Sequence, residues 1–237
     1  DKSKIYAFNH LIPTQLQAEL ALIIEIPGWE YGHLGGSGPG EYIPIDEYGK
    51  EYPKKILDTR VYGIGKQDQH WKYMITPNPF NIPKTDLGVE KLWHLIKDKI
   101  EDEYSTKIML LRAYANGSTS DRYSFIHVDS TNEAEWTILY YANLVWKPEW
   151  AGETVFYRDD HKEITNVIYP TPGKVIMFNA TIPHTGRPPS HFYRGLRVTY
   201  AFKIRMIQEE EIQKDIEEGA AVDYDHIDIA EKQLKGW

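Results

Sequence analysis

Hydrophobic residues keep a helical spacing in two stretches of the chain and give way to short β-rich runs in its second half. Leu16, Leu20, Ile23 and Ile24 recur at steps of three and four, and Val89, Leu92, Trp93, Ile96 and Ile100 do so again. This spacing predicts two amphipathic helices. Thr14 is placed to cap the first, Gln17 three residues on completes a capping box, and Pro27-Gly28 stops it; Asp86 is placed to cap the second. Between the helices, 35–53 is rich in Gly, Pro and Tyr and reads as a long mobile loop, and 75–83, with its several prolines, as another.

After the second helix the pattern changes to short runs of β-branched and aromatic residues over 108–114, 123–128, 136–142, 154–157, 164–169, 174–178 and 197–204. Asn116-Gly117, Ala151-Gly152 and Thr171-Pro172-Gly173 read as the turns between them. Seven short strands after two helices predict a mainly β fold with flanking helices, an antiparallel double-sheet barrel buttressed on one face. Beyond Arg205 the chain is acidic and helical around 209–218, with a second short helix at its end. No repeat or linker divides it. The expected organisation is one domain over 1–237: helical and loop-rich support with lids over 1–105, a β core over 106–205, and an acidic helical segment over 206–237.

Composition narrows the functional classes. A net charge of −8 lacks the basic character of a general nucleic-acid binder, though it leaves room for a local basic groove. The absence of cysteine excludes disulfides, zinc-thiolate sites, iron–sulfur clusters and a cysteine nucleophile. Neither a signal-like apolar run at the start nor a bilayer-length stretch elsewhere is present, which leads to the expectation of a soluble, cytoplasmic protein with no membrane partner.

Candidate chemistry begins at His127-Val128-Asp129. In a strand, residues two apart share a face, so the imidazole and the carboxylate project together while Val128 turns away. A second imidazole from a distant strand would complete a facial triad of the kind that suits Fe(II) with open positions. His-x-Asp alone is usually two solvated residues, and the same spacing recurs at His226 and Asp228, with no histidine after it. The candidate third ligand is His184, in Ile182-Pro183-His184-Thr185-Gly186, where the strand Val175-Ile176-Met177-Phe178 leads into a Pro-His turn at a barrel rim. His161, in a charged turn, and His191, in a Pro-Pro-Ser-His loop, are the competitors and read as solvent-facing.

Together these motifs resemble the catalytic domain of the 2-oxoglutarate- and Fe(II)-dependent dioxygenases, in their prolyl 4-hydroxylase branch. The resemblance runs from Leu111 to Lys203. It takes in Arg112-Ala113-Tyr114 with Asn116-Gly117, the His-x-Asp, 136–143, Trp146, Gly152-Glu153-Thr154-Val155-Phe156, 172–178, His184 and a basic residue on the last strand. It implies a double-stranded β-helix, or jelly-roll, core. It further implies His127, Asp129 and His184 as the metal ligands, Fe(II) and 2-oxoglutarate as cofactors with ascorbate as an optional accessory, and hydroxylation with release of succinate and carbon dioxide. The tail carboxylate of 2-oxoglutarate calls for a basic residue after the distal histidine, and a planar guanidinium suits it. Arg194 and Arg197 are the candidates. Arg197 is preferred because it leads into Val198-Thr199-Tyr200-Ala201-Phe202, with Thr199 and Ala201 on its face and Val198, Tyr200 and Phe202 on the packed side. Arg194 has the family's more usual spacing from His184, so this preference needs a small insertion in 187–193. Tyr114 is similar to the family's tyrosine that bonds the same carboxylate, while Trp136, Tyr140 and Phe156 read as core.

The expected substrate is a proline-containing peptide or protein. The alternatives are the same chemistry on a free amino acid, another side chain or a nucleobase, and more remotely a jelly-roll binding module or a zinc hydrolase. Against the nucleobase branch, Arg197 and Arg205 do not make its Arg-x5-Arg spacing.

Overall fold

A computed structural model describes residues 1–25, 29–34, 69–74, 88–120 and 124–207. The expected loops at 35–53 and 75–83, the cap at Asp86 and the acidic tail with its two helices from 209 on all lie outside these residues. Both helices with described residues form. The first, α1 (Thr14–Ala21), runs on into a 3-10 turn at Leu22–Ile24, and the second, α2, spans Val89–Tyr104. The expected capping box is absent: Pro13 holds the cap position, no side chain caps the helix, and Gln17 Nε2 instead donates to the carbonyl of Ile12 at 2.8 Å. A rigid proline before the first turn leaves Thr14 inside the helix.

Ten strands are described: β1 (Ile5–Phe8), β2 (Glu30–Leu34), β3 (Gln69–Met74), β4 (Lys107–Ser118), β5 (Glu135–Tyr141), β6 (Thr154–Tyr157), β7 (Ile164–Ile168), β8 (Val175–Asn179), β9 (His184–Gly186) and β10 (Arg197–Ile207). They form a seven-stranded sheet, in the order β1-β8-β5-β10-β4-β3-β2, and a three-stranded sheet, β7-β6-β9. Every pairing is antiparallel.

Each sheet face has its own packing. Leu16, Leu20 and Ile23 of the first helical segment and Leu92, Ile96 and Ile100 of α2 pack with Ala113, Ile138, Met177, Val198, Tyr200 and Phe202 on one face of the large sheet. Trp93 stacks on Phe202 at 5.7 Å, and the Tyr200 hydroxyl donates to the carbonyl of Leu20 at 2.8 Å, tying helix to sheet. The opposite face carries Tyr114, Leu139, Tyr141, Ile176, Phe178 and Ala201, which meet Phe156 of the small sheet. This is the jelly-roll arrangement, with helices on one side and a second, smaller core between the sheets.

Some expected elements differ. Asn116-Gly117 is not a turn but lies within β4, opposite Thr199 and Val198. A Cβ at 117 would sit 2.7 Å from Leu196 Cδ2, so a larger residue there would have to displace that side chain. The strand expected over 123–128 is reduced, among its described residues, to a single bridge between His127 and His184. Its neighbours take their partners from side chains and linkers, as where Thr185 Oγ1 donates to the Ser124 carbonyl at 2.7 Å. Strands β1, β2, β3 and β9 are additional to those expected. Between β10 and β4 the register slips once: Lys203 faces Arg112 but Ile204 faces Leu110, so Leu111 is an extra residue on β4.

Candidate active site

The segment 127–129 is pinned by its backbone before its side chains do anything. His127 and His184 exchange backbone hydrogen bonds at 3.0 and 2.9 Å, and the Asp129 amide donates to the Ala180 carbonyl at 2.8 Å. The linker from β8 to β9 thereby holds the His-x-Asp segment against the start of β9. Three donor groups converge: ligand-type atoms of His127, Asp129 and His184 all lie within 4.8 Å of one another. His127 Nε2 is 3.7 Å from Asp129 Oδ1, and His184 Nε2 is 3.4 Å from Asp129 Oδ2.

Both rings are oriented from behind. His127 Nδ1 lies 2.9 Å from the carbonyl of Phe125, and His184 Nδ1 lies 2.9 Å from that of Ile182. A carbonyl accepts only, so each Nδ1 must donate. In the neutral ring this puts the lone pair on Nε2, facing the cluster, which is the tautomer a metal-binding imidazole requires. Burial pushes His127 down to about 4, and the neighbouring His184 adds to this, so the ring is neutral at ordinary pH. Burial works to raise the Asp129 carboxyl, but Lys203 and then the imidazoles outweigh it and hold the group well below the usual carboxylate range. Two neutral imidazoles and one carboxylate fit a divalent first-row cation with further positions for co-ligands.

Arg197 lies at the first residue of β10, only 5% exposed, while Arg194 is exposed on the preceding turn. Arg197 Nε donates to the Gly152 carbonyl at 2.6 Å, and an NH2 lies 3.4 Å from Thr154 Oγ1. The Tyr141 hydroxyl is 2.7 Å from that Thr154 oxygen, and the guanidinium carbon is 5.6 Å from the centre of the Tyr141 ring. Gly152 makes this seat possible: at φ +83°, a Cβ there would lie 3.1 Å from Arg197 Cδ. Burial lowers Arg197 from its ordinary value, against the opposing influence of Tyr141 and Glu153. Among the described residues no carboxylate pairs with it. A buried guanidinium without a counter-ion is costly, and a carboxylate ligand would relieve it. On the adjoining β4, Asn116 Oδ1 and Ser118 Oγ are also buried with no described partner, and these residues pair with Thr199 and Arg197 of β10.

Tyr114 is buried opposite Ala201 on the same sheet face, with Arg112 and Lys203 as its cation neighbours at 5.1 and 5.9 Å. The aromatic residue packed on Arg197 is Tyr141, which reasoning from sequence passed over. Its signal was strand parity: Tyr141 is four residues on from Thr137 in β5, on the face opposite Tyr140. Thr137 and Lys203 were also missed, and both reach Asp129: Thr137 Oγ1 donates to Oδ2 at 2.6 Å, and the Lys203 ammonium is ion-paired with the same oxygen. His161 and His191 stand outside this cluster, His161 in a turn with φ +60° and His191 exposed.

Residues 110–202, which contain the three converging ligands, match the model of the 2OG-Fe(II) oxygenase superfamily. This part of the chain is similar to that superfamily, and the cofactors its name carries, Fe(II) and 2-oxoglutarate, suit the His-Asp-His site and the buried guanidinium. Solved structures agree in fold. A 2OG-Fe(II) oxygenase family oxidoreductase from Burkholderia pseudomallei has a TM-score of 0.59 at 13% identity, over 86% of each chain. A prolyl hydroxylase from Trichoplax adhaerens, in complex with a peptide fragment of the hypoxia inducible factor oxygen degradation domain, has a TM-score of 0.55 at 15% identity, over 89% of this chain and 86% of its own. A prolyl-4-hydroxylase from Pseudomonas putida has a TM-score of 0.52 at 14% identity, over 85% of this chain and 92% of its own. At these identities the likeness is one of fold. No curated protein matches the chain. No helix among the described residues is long and apolar enough to cross a membrane.

Proposed function

We propose that this protein is a 2-oxoglutarate-dependent Fe(II) dioxygenase that hydroxylates prolyl residues of a peptide or protein. In this reading His127, Asp129 and His184 are the metal ligands, and Arg197 takes the tail carboxylate of 2-oxoglutarate. The observation that carries the chemistry is the pair of imidazoles, each with Nδ1 committed to a carbonyl and Nε2 turned to one shared carboxylate. When bound, the iron would supply the chemistry by which dioxygen gives one oxygen atom to 2-oxoglutarate, leaving succinate and carbon dioxide, and the other to a substrate C–H bond.

The chain's own residues do the remaining work. The carbonyls of Phe125 and Ile182 fix the imidazole tautomers, and Thr137 and Lys203 fix the carboxylate. Arg197 offers a planar fork for the distal carboxylate, supported by Gly152 and Thr154. Burial raises the Tyr141 hydroxyl from its ordinary value despite the pull of Arg197 and Thr154, so it remains a neutral donor. The aliphatic and aromatic side chains between the sheets keep water from the reacting end. Tyr141→Phe is therefore expected to raise the 2-oxoglutarate requirement roughly two- to tenfold, the value of one neutral hydrogen bond, with little change in the maximal rate. The dependence of succinate formation on 2-oxoglutarate concentration checks this, and an unchanged requirement would remove Tyr141 from the pocket.

The prolyl reading is supported by the extent of the motif match to prolyl 4-hydroxylases. It is tested by incubating Fe(II)-loaded protein with 2-oxoglutarate and a panel of proline-rich peptides, free amino acids and oligonucleotides. The expected outcome is succinate formation coupled to a mass gain of one oxygen on a peptide proline. Oxygen gained by a free amino acid or a nucleobase, with the peptides unmodified, would keep the oxygenase reading and overturn the prolyl one.

A further inference from the structure

Lys203 is the second cation on the inner face of β10, six residues beyond Arg197, and it faces Thr137 of β5 and Arg112 of β4. It is 9% exposed. Its ammonium is ion-paired with Asp129 Oδ2 and donates to Thr137 Oγ1 at 2.9 Å, while Thr137 donates to the same carboxylate oxygen at 2.6 Å. Oδ2 is thus held by two donors, and Oδ1 is the oxygen toward His127. The charge balance is the unusual part. Two neutral imidazoles and one carboxylate would meet a cation with one negative charge, but here a buried ammonium rests on that carboxylate. The one carboxylate of the cluster is already engaged by a lysine before any metal arrives.

We propose that Lys203 is a charge-setting positioning residue that makes divalent-metal binding at this centre conditional on an anionic co-ligand. A dication entering this cluster, with the Lys203 ammonium resting on the same carboxylate in a poorly screened interior, gains little from that single carboxylate. An α-keto acid brings a carboxylate to the metal and restores the missing negative charge. Affinity for the two is then coupled, each raising the other by the same factor. Lys203 also keeps Asp129 oriented, so its removal acts in two opposing ways, and the sign of the net effect separates them. If charge dominates, the bare site gains metal affinity when Lys203 loses its ammonium. If Lys203 is only a hydrogen-bond donor that aims the carboxylate, the bare site loses affinity. This proposal rests on the reading of His127, Asp129 and His184 as ligands.

The test is calorimetric titration of the apo protein with Mn(II), without and with the unreactive keto-acid analogue N-oxalylglycine. The proteins are the wild type, Lys203→Met, Lys203→Arg and His127→Ala, each checked for folding by circular dichroism. In the wild type the analogue should tighten Mn(II) binding by about tenfold or more. Lys203→Met should bind Mn(II) about tenfold or more tightly than wild type without the analogue, with the analogue's enhancement reduced by a similar factor. Lys203→Arg, which keeps the charge, should retain wild-type coupling. Unchanged or weaker Mn(II) binding in Lys203→Met with full coupling would overturn the proposal. So would a wild type in which the analogue leaves Mn(II) affinity unaltered, a result that needs no variant to fold. His127→Ala binding Mn(II) like the wild type would instead sink the ligand assignment itself, a failure distinguishable from that of the charge argument.

Discussion

Replacing His127 or Asp129 with alanine is expected to abolish metal binding and reduce 2-oxoglutarate-dependent succinate formation by more than about a hundredfold, to background. Three protein donors converge here, and no other acidic or histidine side chain among the described residues joins them. A two-ligand remnant therefore has no substitute. The fold should survive at His127, because the bonds fixing the segment 127–129 are made by backbone atoms that alanine retains. Asp129→Ala is harsher, since it strands Lys203 as a buried ammonium, and Asp129→Asn is the milder companion that keeps an oxygen for Thr137. Succinate assays, with circular dichroism on each variant, check this. A folded His127→Ala or Asp129→Asn with near wild-type output would show that the metal is held elsewhere.

The second large effect belongs to Arg197. Arg197→Ala is expected to raise the 2-oxoglutarate requirement on the order of a hundredfold while metal binding persists, because a buried charged hydrogen-bond partner is lost. Arg197→Lys should recover only part of this. A lysine can keep the charge, but it cannot donate to the Gly152 carbonyl and a ligand carboxylate in the fixed plane of a guanidinium. Arg194→Ala should have almost no effect, since that side chain is exposed. Measuring the 2-oxoglutarate dependence of all three decides the matter, and a strong defect in Arg194→Ala beside a mild one in Arg197→Ala would reverse the assignment. Arg197 also seats against Gly152 and Thr154, so the thermal stability of Arg197→Ala must be measured alongside.

Much of the barrel could be read from residue patterns because its central strands alternate. Val198, Tyr200 and Phe202 fall on the helix-packed side and Ala201 on the other, as the period of two requires. The edge strands resisted such reading. Strand β1 is four residues long and is set by pairing with β8, while β2 and β3 owe their place to β4, contacts distant in sequence. The segment at His127 has strand-like composition but meets β9 through a single bridge, so composition alone over-extends it. Of the candidate site, the ligand-type residues had a local signature. Tyr141 had only strand parity, and Thr137 and Lys203 had nothing local: a threonine and a lysine in strands mean nothing until the fold places them beside Asp129.

The extra residue at Leu111 carries a larger implication than its size suggests. Below it, Ile108 and Leu110 point to the helices; above it, Ala113 and Ala115 do, leaving Tyr114, Asn116 and Ser118 for the interior. The inside and outside of β4 therefore exchange parity at one peptide unit. Were that unit deleted while the lower half kept its register, the upper half would rotate by half a turn. The polar residues would be driven into helix-facing hydrocarbon, and two alanines would face the space between the sheets. Leu111 is thus a phase correction, and the odd count of residues between the two halves of β4 is what lets one strand serve both an oily wall and a wet one.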